Sequence, residues 1–494
     1  MKKCLSFIGS VLLGCYIVPI YHFVSNYPQV PLKDTILIIA LFGAIVVGLV
    51  GFLWLLFRDI NKVSFLMYGG AIIFWFSHPF AKYIAGSFTL PQAVANCAWP
   101  LLFICCALGI LSLFFILKFC PKFVKNINTG LGVFVFILSG LLLINVCRLT
   151  FFNTKGTNSL YQNNKQNIAK GTYPNIYHIL LDAHPNQKAM EIIGGNLKPF
   201  YNELEALGFV TFPKSHSNYP ATQWSVASML NMDYLQDNWK NMSFDNCRML
   251  IGNSKVFENF LQQGYNVLFS TDNVMVKSLY PSVKEFISSK NSSMFCSLYD
   301  FLCSTPLKHV FEKIFSKKFQ QIVQNNIKKV FVSLKSGKEL YGEKMNFFYA
   351  HVLCPHEPVV FSKMAKNLAF QGFIMKYDAS YMLAPETHRA FCENVCGIDN
   401  IVLESIKEIL KQYGTESIKP IIVLHSDHSI LYCARDLKNP FITPDTVYGN
   451  LLALYIPDEW KQDAKDLKFI NLYRWIFNHL FGDNFEYFKE NMQK

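Results

Sequence analysis

The sequence predicts two dissimilar halves: a bundle of five transmembrane helices over residues 1–152, then an α/β domain with a central, mostly parallel sheet over residues 174–494, joined by a linker at 153–173. Three observations predict this. The first half is a near-continuous series of apolar runs, although the 494-residue chain as a whole is only 51% apolar. The second half alternates helical patterns with short apolar runs rich in β-branched residues, the rhythm of α/β folds. Several of those runs stop on Asp or His, and open α/β sheets gather their ligand chemistry at strand C-termini.

Five segments are long enough to cross a bilayer: Leu5–Val24, Thr35–Phe57, Val63–Ala81, Ala98–Leu117 and Gly130–Val146. The first follows Lys2 and Lys3 as a signal peptide would. Its apolar run is long, however, it lacks a convincing small-x-small cleavage site, and four more spans follow, so it reads as an uncleaved span. Lys2/Lys3, Arg58/Lys62 and Lys118/Lys122/Lys125 fall on one side of the membrane. The opposite loops, Ser25–Asp34 and His78–Gln92, hold only Lys33 and Lys82. The basic side is cytoplasmic, and an odd number of spans delivers residues 153–494 to the other face. In a bacterium this is a multi-pass protein of the inner membrane with its large domain in the periplasm or on the outer face.

The net charge of +12 is spread along the chain without a long basic block. That disfavours a nucleic-acid partner and suits a protein facing anionic lipid. Seven of the fourteen cysteines lie in the membrane half, where they act as small apolar residues. In an oxidising compartment Cys296–Cys303 and Cys392–Cys396 are the nearest disulfide candidates; the second pair equally fits two thiols one helical turn apart. No CxxC or zinc-finger spacing occurs, which disfavours a structural zinc site.

Taken in order, the outer domain begins after a stretch rich in Asn, Lys, Gly and Gln (Phe151–Thr172). Asn175–Leu181 is a buried strand that ends on Asp182. A helix at Lys198–Leu207 and a short strand within Gly208–Phe212 lead to Ser217–Leu230, where turn residues give way to a helix. Thr222 falls at that helix start, where unpaired N–H groups and the positive dipole end favour an anion. Its hydroxyl is either an N-cap or, given a base or a metal, a nucleophile. Ser254–Gln263 is a helix stopped by Gly264, and Tyr265–Phe269 is the next strand. Residues 280–340 are Lys- and Ser-rich and partly helical, an insertion that shapes the substrate entrance. Lys344–Val352 holds a strand running into a Pro-stiffened turn flanked by His351 and His356, residues suited to metal or acid–base work. A long helix at Thr387–Tyr413 stops at Gly414, and the strand Lys419–Leu424 delivers His425-Ser426-Asp427-His428. Asp182, Thr222, Asp427 and His428 make an oxygen-rich set with one imidazole, which suits zinc or manganese.

Four motifs in this order carry a resemblance: the strand-ending Asp182, Thr222-x-x-Ser225-Val226, His351…Pro355-His356-x-Pro358 and Ser426-Asp427-His428. Over roughly residues 174–480 the chain resembles the alkaline phosphatase/sulfatase superfamily, and in particular its membrane-anchored sulfatase-like branch, with phosphoethanolamine transferases and lipoteichoic acid synthases as relatives. Those relatives also carry five N-terminal spans and an outward-facing catalytic domain. Gly449–Pro457 and Asn471–Phe481 are similar to stretches that follow the Asp-His turn in such proteins. The resemblance implies a zinc or manganese site of Asp182, Thr222, Asp427 and His428, with Thr222 both ligand and nucleophile. It implies that His356 contacts the transferred group, protonates the leaving oxygen or joins a second metal, and that His351 and Ser225 contact substrate. Three departures stand out. Gln223, Trp224, Ser225 and Val226 follow Thr222 without the C/S-x-P-x-R frame of true sulfatases, which disfavours sulfate ester hydrolysis. Ser429 stands where Gly is usual, and no His after His428 matches the downstream His of phosphoethanolamine transferases.

The implied function is transfer of a phosphoethanolamine or phosphoglycerol group from a membrane phospholipid to a cell-envelope glycan or lipid through a threonine-linked intermediate. The alternatives are a phosphodiesterase or sulfatase-like hydrolase that uses water, and a non-catalytic membrane scaffold of the same fold. A transporter is disfavoured because the spans hold almost no charge.

Overall fold

The computed structural model describes residues 2–25, 32–87, 98–149, 173–235, 238–271, 283–287, 298, 301–302, 305, 308–342, 345–356, 358–363, 385–414, 416–430 and 442–489. The chain divides into two compact units, Met1–Ser159 with Ser293–Ser316, and Leu160–Ser292 with Lys317–Lys494. The linker expected at 153–173 and the Cys296–Cys303 pair fall, but for Tyr173, outside the described residues.

Helices stand at each of the five segments expected to span: Lys2–Leu12 continuing through Leu13–Ile17 into Val18–Ser25, Leu32–Phe57, Ile60–Ser87, Ala98–Phe119 and Pro121–Cys147. Among the described residues three stretches are long and apolar enough to cross a membrane, Lys3–Ser25, Leu32–Phe57 and Pro121–Cys147, while Ile60–Phe76 and Cys106–Phe119 are shorter apolar pieces. The first helix widens to a π-helical turn at Leu13–Ile17. Pro19 explains it: proline offers no N–H and its ring collides with the carbonyl four residues back, so the backbone opens there. Phe23, Ile38, Phe42, Val63 and Trp75 are buried between the helices, whereas Val47, Leu55, Leu111 and Ile144 are exposed. Apolar side chains facing outward as well as inward are what a lipid solvent permits. A Cβ on Gly132 would lie 2.9 Å from the Ser6 backbone, so this glycine lets Pro121–Cys147 approach Lys2–Leu12 closely.

One later piece of chain belongs to this unit. Phe301 is fully buried among its helices, with ring centroids 5.3 Å from His22, 5.5 Å from Trp75 and 5.6 Å from Phe42. Part of the stretch expected to be a substrate-entrance insertion is thus core of the helical unit.

The second unit is built on a seven-stranded sheet in the order β2-β7-β6-β1-β5-β3-β4, comprising β1 (Ile176–Leu181), β2 (Val210–Thr211), β3 (Asn266–Thr271), β4 (Lys284–Ile287), β5 (Asn346–Val352), β6 (Ile421–His425) and β7 (Leu452–Tyr455). β4, β3, β5, β1 and β6 run parallel, and β7 and β2 add antiparallel pairings at one edge. The central β1 is buried along all six residues, as a strand covered on both faces must be. Tyr177, Ile179 and Leu181 face one core with the helices Gln187–Ile192, Lys198–Ala206, Lys308–Tyr341 and Pro385–Gln412. Ile176 and Leu180 face the other, covered by Thr222–Asn231, Lys255–Gln262 and Leu472–Phe481. Gly264 has φ +81, the left-handed conformation that ends a helix at low cost when no Cβ is present. Register then decides what meets at the sheet's C-terminal edge: Leu180 pairs with His351 of β5 and with His425 of β6. The ends of β1, β5 and β6 therefore lie side by side.

Candidate functional site

The residue after β1 is Asp182, whose N–H donates to Val352 O at 2.9 Å and whose carbonyl accepts from His356 N–H at 2.9 Å. These bonds tie the end of β1 to the turn after β5. Ala183 follows with φ +62, a left-handed conformation that a non-glycine residue holds only when its surroundings impose it. Its N–H thereby reaches Asp427 Oδ1 at 3.1 Å, and the same oxygen accepts the N–H of His428 at 3.1 Å. The two strand-end turns are thus locked through the carboxylate that the second one carries.

Around Asp182 the side chains converge. His351 Nε2 lies 3.4 Å from Asp182 Oδ2, and His428 Nε2 lies 3.4 Å from Asp182 Oδ1 and 3.7 Å from Asp427 Oδ2. Asp182, His351, Asp427 and His428 are all within 1% of full burial. Nothing among the described residues approaches Asp182 Oδ1 more closely than the long 3.4 Å contact of His428 Nε2 as a hydrogen-bond donor, and Asp427 Oδ2 accepts no hydrogen bond from them. Two buried carboxylates with open acceptor oxygens require a cation. The chain supplies one in His428. Burial works against its imidazolium, but Asp427 and Asp182 outweigh it and push its pKa up to about 9. Burial likewise opposes ionisation of Asp182, yet His356, His351 and His428 hold its pKa well below the usual carboxylate range.

Thr222 opens the helix Thr222–Asn231 as its first helical residue. The N-cap position belongs to Ala221, and no side chain caps the helix end, so the capping role weighed for Thr222 is not the one it plays. Its Oγ1 lies 3.2 Å from His428 Nε2, and the residue is partly exposed. His428 Nδ1 is 2.7 Å from the Ser429 carbonyl, which can only accept, so the ring carries hydrogen on Nδ1 and presents Nε2 to Thr222 and the carboxylates. A ring whose second nitrogen is oriented by a backbone carbonyl is the usual support of a metal-ligating histidine. Ser429 is not among the residues with positive φ, so this turn does not require the glycine that usually stands there.

Asp182, His351 and Asp427 each offer a ligand atom, all within 4.8 Å of one another. With His428 and Thr222 beside them, the donor set of carboxylates, imidazoles and a hydroxyl suits zinc or manganese. The residues present fit a divalent cation. His351, expected as a substrate contact and, with His356, as suited to metal or acid–base work, lies inside β5, fully buried, with Nε2 3.4 Å from Asp182 Oδ2 and within reach of one cation together with Asp182 and Asp427. Sequence reading left its place open because β5's depth relative to β1 is set by register, which no local pattern encodes. Ser225, the other substrate contact expected, is fully buried on its helix and its Oγ has no hydrogen-bond partner among the described residues. His356 is half-buried, with its ring centroid 6.3 Å from that of His428, at the rim of the cluster. Asn394 holds that rim, donating from Nδ2 to Pro355 O at 3.0 Å and accepting from the Val360 and Phe361 N–H groups. Cys392 and Cys396 are free thiols on the helix Pro385–Gln412.

No protein-family model matches the chain, and no curated protein matches it. Among solved structures, it is similar to the zinc complex of the C-terminal periplasmic domain of EcEptC from Escherichia coli, at 13% identity and TM-score 0.36, covering 63% of this chain and 83% of that one. It is similar to the integral membrane protein lipooligosaccharide phosphoethanolamine transferase A (EptA) from Neisseria meningitidis, at 12% identity and TM-score 0.38 over 96% of this chain and 94% of that one. It is also similar to a putative sulfatase, yidJ, from Bacteroides fragilis, at 15% identity and TM-score 0.40 over 64% and 76%.

Proposed function

We propose that the chain is a metal-dependent phospho-head-group transferase that moves phosphoethanolamine or phosphoglycerol from a membrane phospholipid to a cell-envelope glycan or lipid. The observation that carries the proposal is Thr222: a partly exposed hydroxyl at a helix start, 3.2 Å from an oriented His428 Nε2 and beside two buried carboxylates. A phospholipid donor suits a chain whose first unit is built from apolar helices. The fitting location is the inner membrane of a bacterium, multi-pass, with the α/β domain on the periplasmic face.

Asp182, Asp427, His351, His428 and Thr222 are the residues that would hold the cation. Bound there, it would supply the positive charge that lets the Thr222 hydroxyl give its proton to solvent before the donor enters, so that Thr222 begins and ends each cycle unprotonated, and that offsets charge on phosphoryl oxygens. Thr222 Oγ attacks phosphorus, a Thr222–phosphoryl bond forms, and the bond to the diacylglycerol oxygen breaks. The N–H groups of the first helical turn face the anionic group. His356, at the rim, donates the proton that the departing diacylglycerol oxygen takes. In the second half an acceptor hydroxyl attacks the same phosphorus, its proton returns to His356, and Thr222 is released. Ser429 O keeps the His428 ring aligned throughout, through the bond from Nδ1.

The test is diacylglycerol release from phosphatidylethanolamine or phosphatidylglycerol by the purified full chain. Release is expected from the wild type and its loss from Thr222→Ala; release by Thr222→Ala at the wild-type rate overturns the mechanism. Product analysis separates the transferase from the hydrolase: the head group appears on a glycan or lipid in the first case and free in the second.

A further inference from the structure

On the sheet face covered by the helix Leu472–Phe481, the apolar core also holds a line of polar side chains. His178 of β1, His425 of β6 and Tyr473 of that helix are 0%, 0% and 1% exposed. They touch in sequence: the Tyr473 hydroxyl bonds His178 Nδ1, His178 Nε2 lies 2.6 Å from His425 Nε2, and His425 Nδ1 lies 3.0 Å from the Ser426 carbonyl.

The direction of this chain can be worked out from its last bond. A carbonyl oxygen only accepts, so His425 carries hydrogen on Nδ1. A neutral imidazole has one N–H, so His425 Nε2 is a lone pair and His178 Nε2–H donates to it. His178 Nδ1 is then a lone pair, and the Tyr473 O–H donates. Running the chain the other way would set the His425 Nδ1 lone pair against the lone pairs of Ser426 O. Both rings are fully buried, and the partners of their nitrogens are a tyrosine hydroxyl, each other and a backbone carbonyl, with no carboxylate to support a charge, so both are neutral. Every donor and acceptor of the two rings is used.

The chain ends on a residue held at every polar atom. Ser426 N–H donates to Leu451 O at 3.0 Å, and its carbonyl also accepts from Asn450 Nδ2 at 2.6 Å. Its Oγ accepts from Leu451 N–H at 2.9 Å and donates to His184 O at 2.5 Å. The next two residues are Asp427 and His428.

We propose that Tyr473 and His178 are positioning residues, forming with His425 a one-way hydrogen-bond relay that anchors the Ser426–His428 turn and so sets Asp427 and His428 against Asp182. Its effect on cation affinity rests on the site reading given above; its direction does not. A relay of buried polar groups is a demanding way to fill core volume, since any atom left without a partner is strongly destabilising there. Apolar residues at positions 178, 425 and 473 would fill the same space. What they would lack is the second grip on the Ser426 carbonyl, that of His425 Nδ1–H beside Asn450 Nδ2.

The test is ¹⁵N-histidine NMR of the full chain in micelles, with zinc and manganese titrations of wild type and Tyr473→Phe. The expected result is hydrogen on Nδ1 of His425 and on Nε2 of His178, a shift of His178 Nδ1 to the value of an unbonded acceptor in Tyr473→Phe, and a fall in cation affinity of about tenfold or more. Hydrogen on Nε2 of His425 in the wild type overturns the relay, whether or not the protein binds a cation. A Tyr473→Phe protein that melts earlier but binds within twofold of wild type assigns the three side chains to core filling alone and overturns the positioning role. A wild type that binds neither metal, with the tautomers as stated, sinks the cation site and leaves the relay's direction established.

Discussion

Two buried polar clusters lie one above the other on the same strands, and they differ in how their atoms are satisfied. The lower one, Tyr473–His178–His425, is closed, with each ring nitrogen bonded and the last N–H spent on a backbone carbonyl. The upper one, Asp182–His351–Asp427–His428, is open: among the described residues Asp182 Oδ1 has only the long 3.4 Å contact of His428 Nε2 as a donor, and Asp427 Oδ2 accepts no hydrogen bond. Burial is the same in both. An imidazolium at His428 balances one of the two carboxylates and leaves the other without an opposing charge from that residue. Open acceptors with net negative charge distinguish a place for a cation from a polar core.

The sharpest break in this comparison is Thr222→Ala. It leaves both clusters intact and removes the nucleophile, so diacylglycerol release is expected to fall to background, a loss of roughly 10³-fold or more. Asp427→Ala comes next. Elemental analysis of the purified chain should find zinc or manganese in the wild type and none in the variant, because one of two carboxylates and the anchor of the Ala183 and His428 N–H groups go together. Retained stoichiometric metal would remove Asp427 from the ligand set.

A third prediction separates the clusters by pH. His428 has a folded pKa raised from 6.5 to about 9, so its contribution to stability is fully present below pH 6.5 and is lost as pH rises through about 9. Asp182 is depressed, so its contribution is present above the ordinary carboxylate pKa and is lost only as pH falls through its lower folded value. The cation-free protein should therefore melt at progressively lower temperature between pH 6.5 and 9, read by thermal denaturation, and His428→Asn should flatten that slope. A slope unchanged in His428→Asn would place the titrating group elsewhere. The smallest effect is expected from Ser429→Gly. The carbonyl that orients His428 remains and the backbone there is not left-handed, so stability should change by about 0.5 kcal/mol or less, with release close to wild type.

Much of the α/β unit was legible because its signals are local. The run Tyr265–Phe269 and those leading to Asp182, His351 and His425 are strands where apolar, β-branched sequence meets a breaker, and each appears within a residue or two of its expected limits. The helix at Lys198–Ala206 and the one ending before Gly264 followed from the same logic. β4 and β7 were not read, and the helix Lys308–Tyr341 was read only as a partly helical stretch. β7 is four residues that pair antiparallel with β6, and in that helix the apolar stripe Ile327, Val330, Phe331 and Leu334 stands among many Lys residues. Phe301 shows the limit most plainly: its apolar character was visible, but which core it would enter was not.

By itself the sequence determined the division into an apolar helical part and an α/β part, the strand ends that carry Asp182 and Asp427–His428, and the helix start that carries Thr222. These depend on local periodicity and on breakers, which act over a few residues. Only the tertiary structure decided that His351 lies against Asp182, that Ala221 rather than Thr222 occupies the cap, and that His178, His425 and Tyr473 form one relay. Those facts depend on strand register and helix placement, set by packing between residues up to 295 positions apart, and no local pattern can specify a contact whose two halves are joined only by the fold.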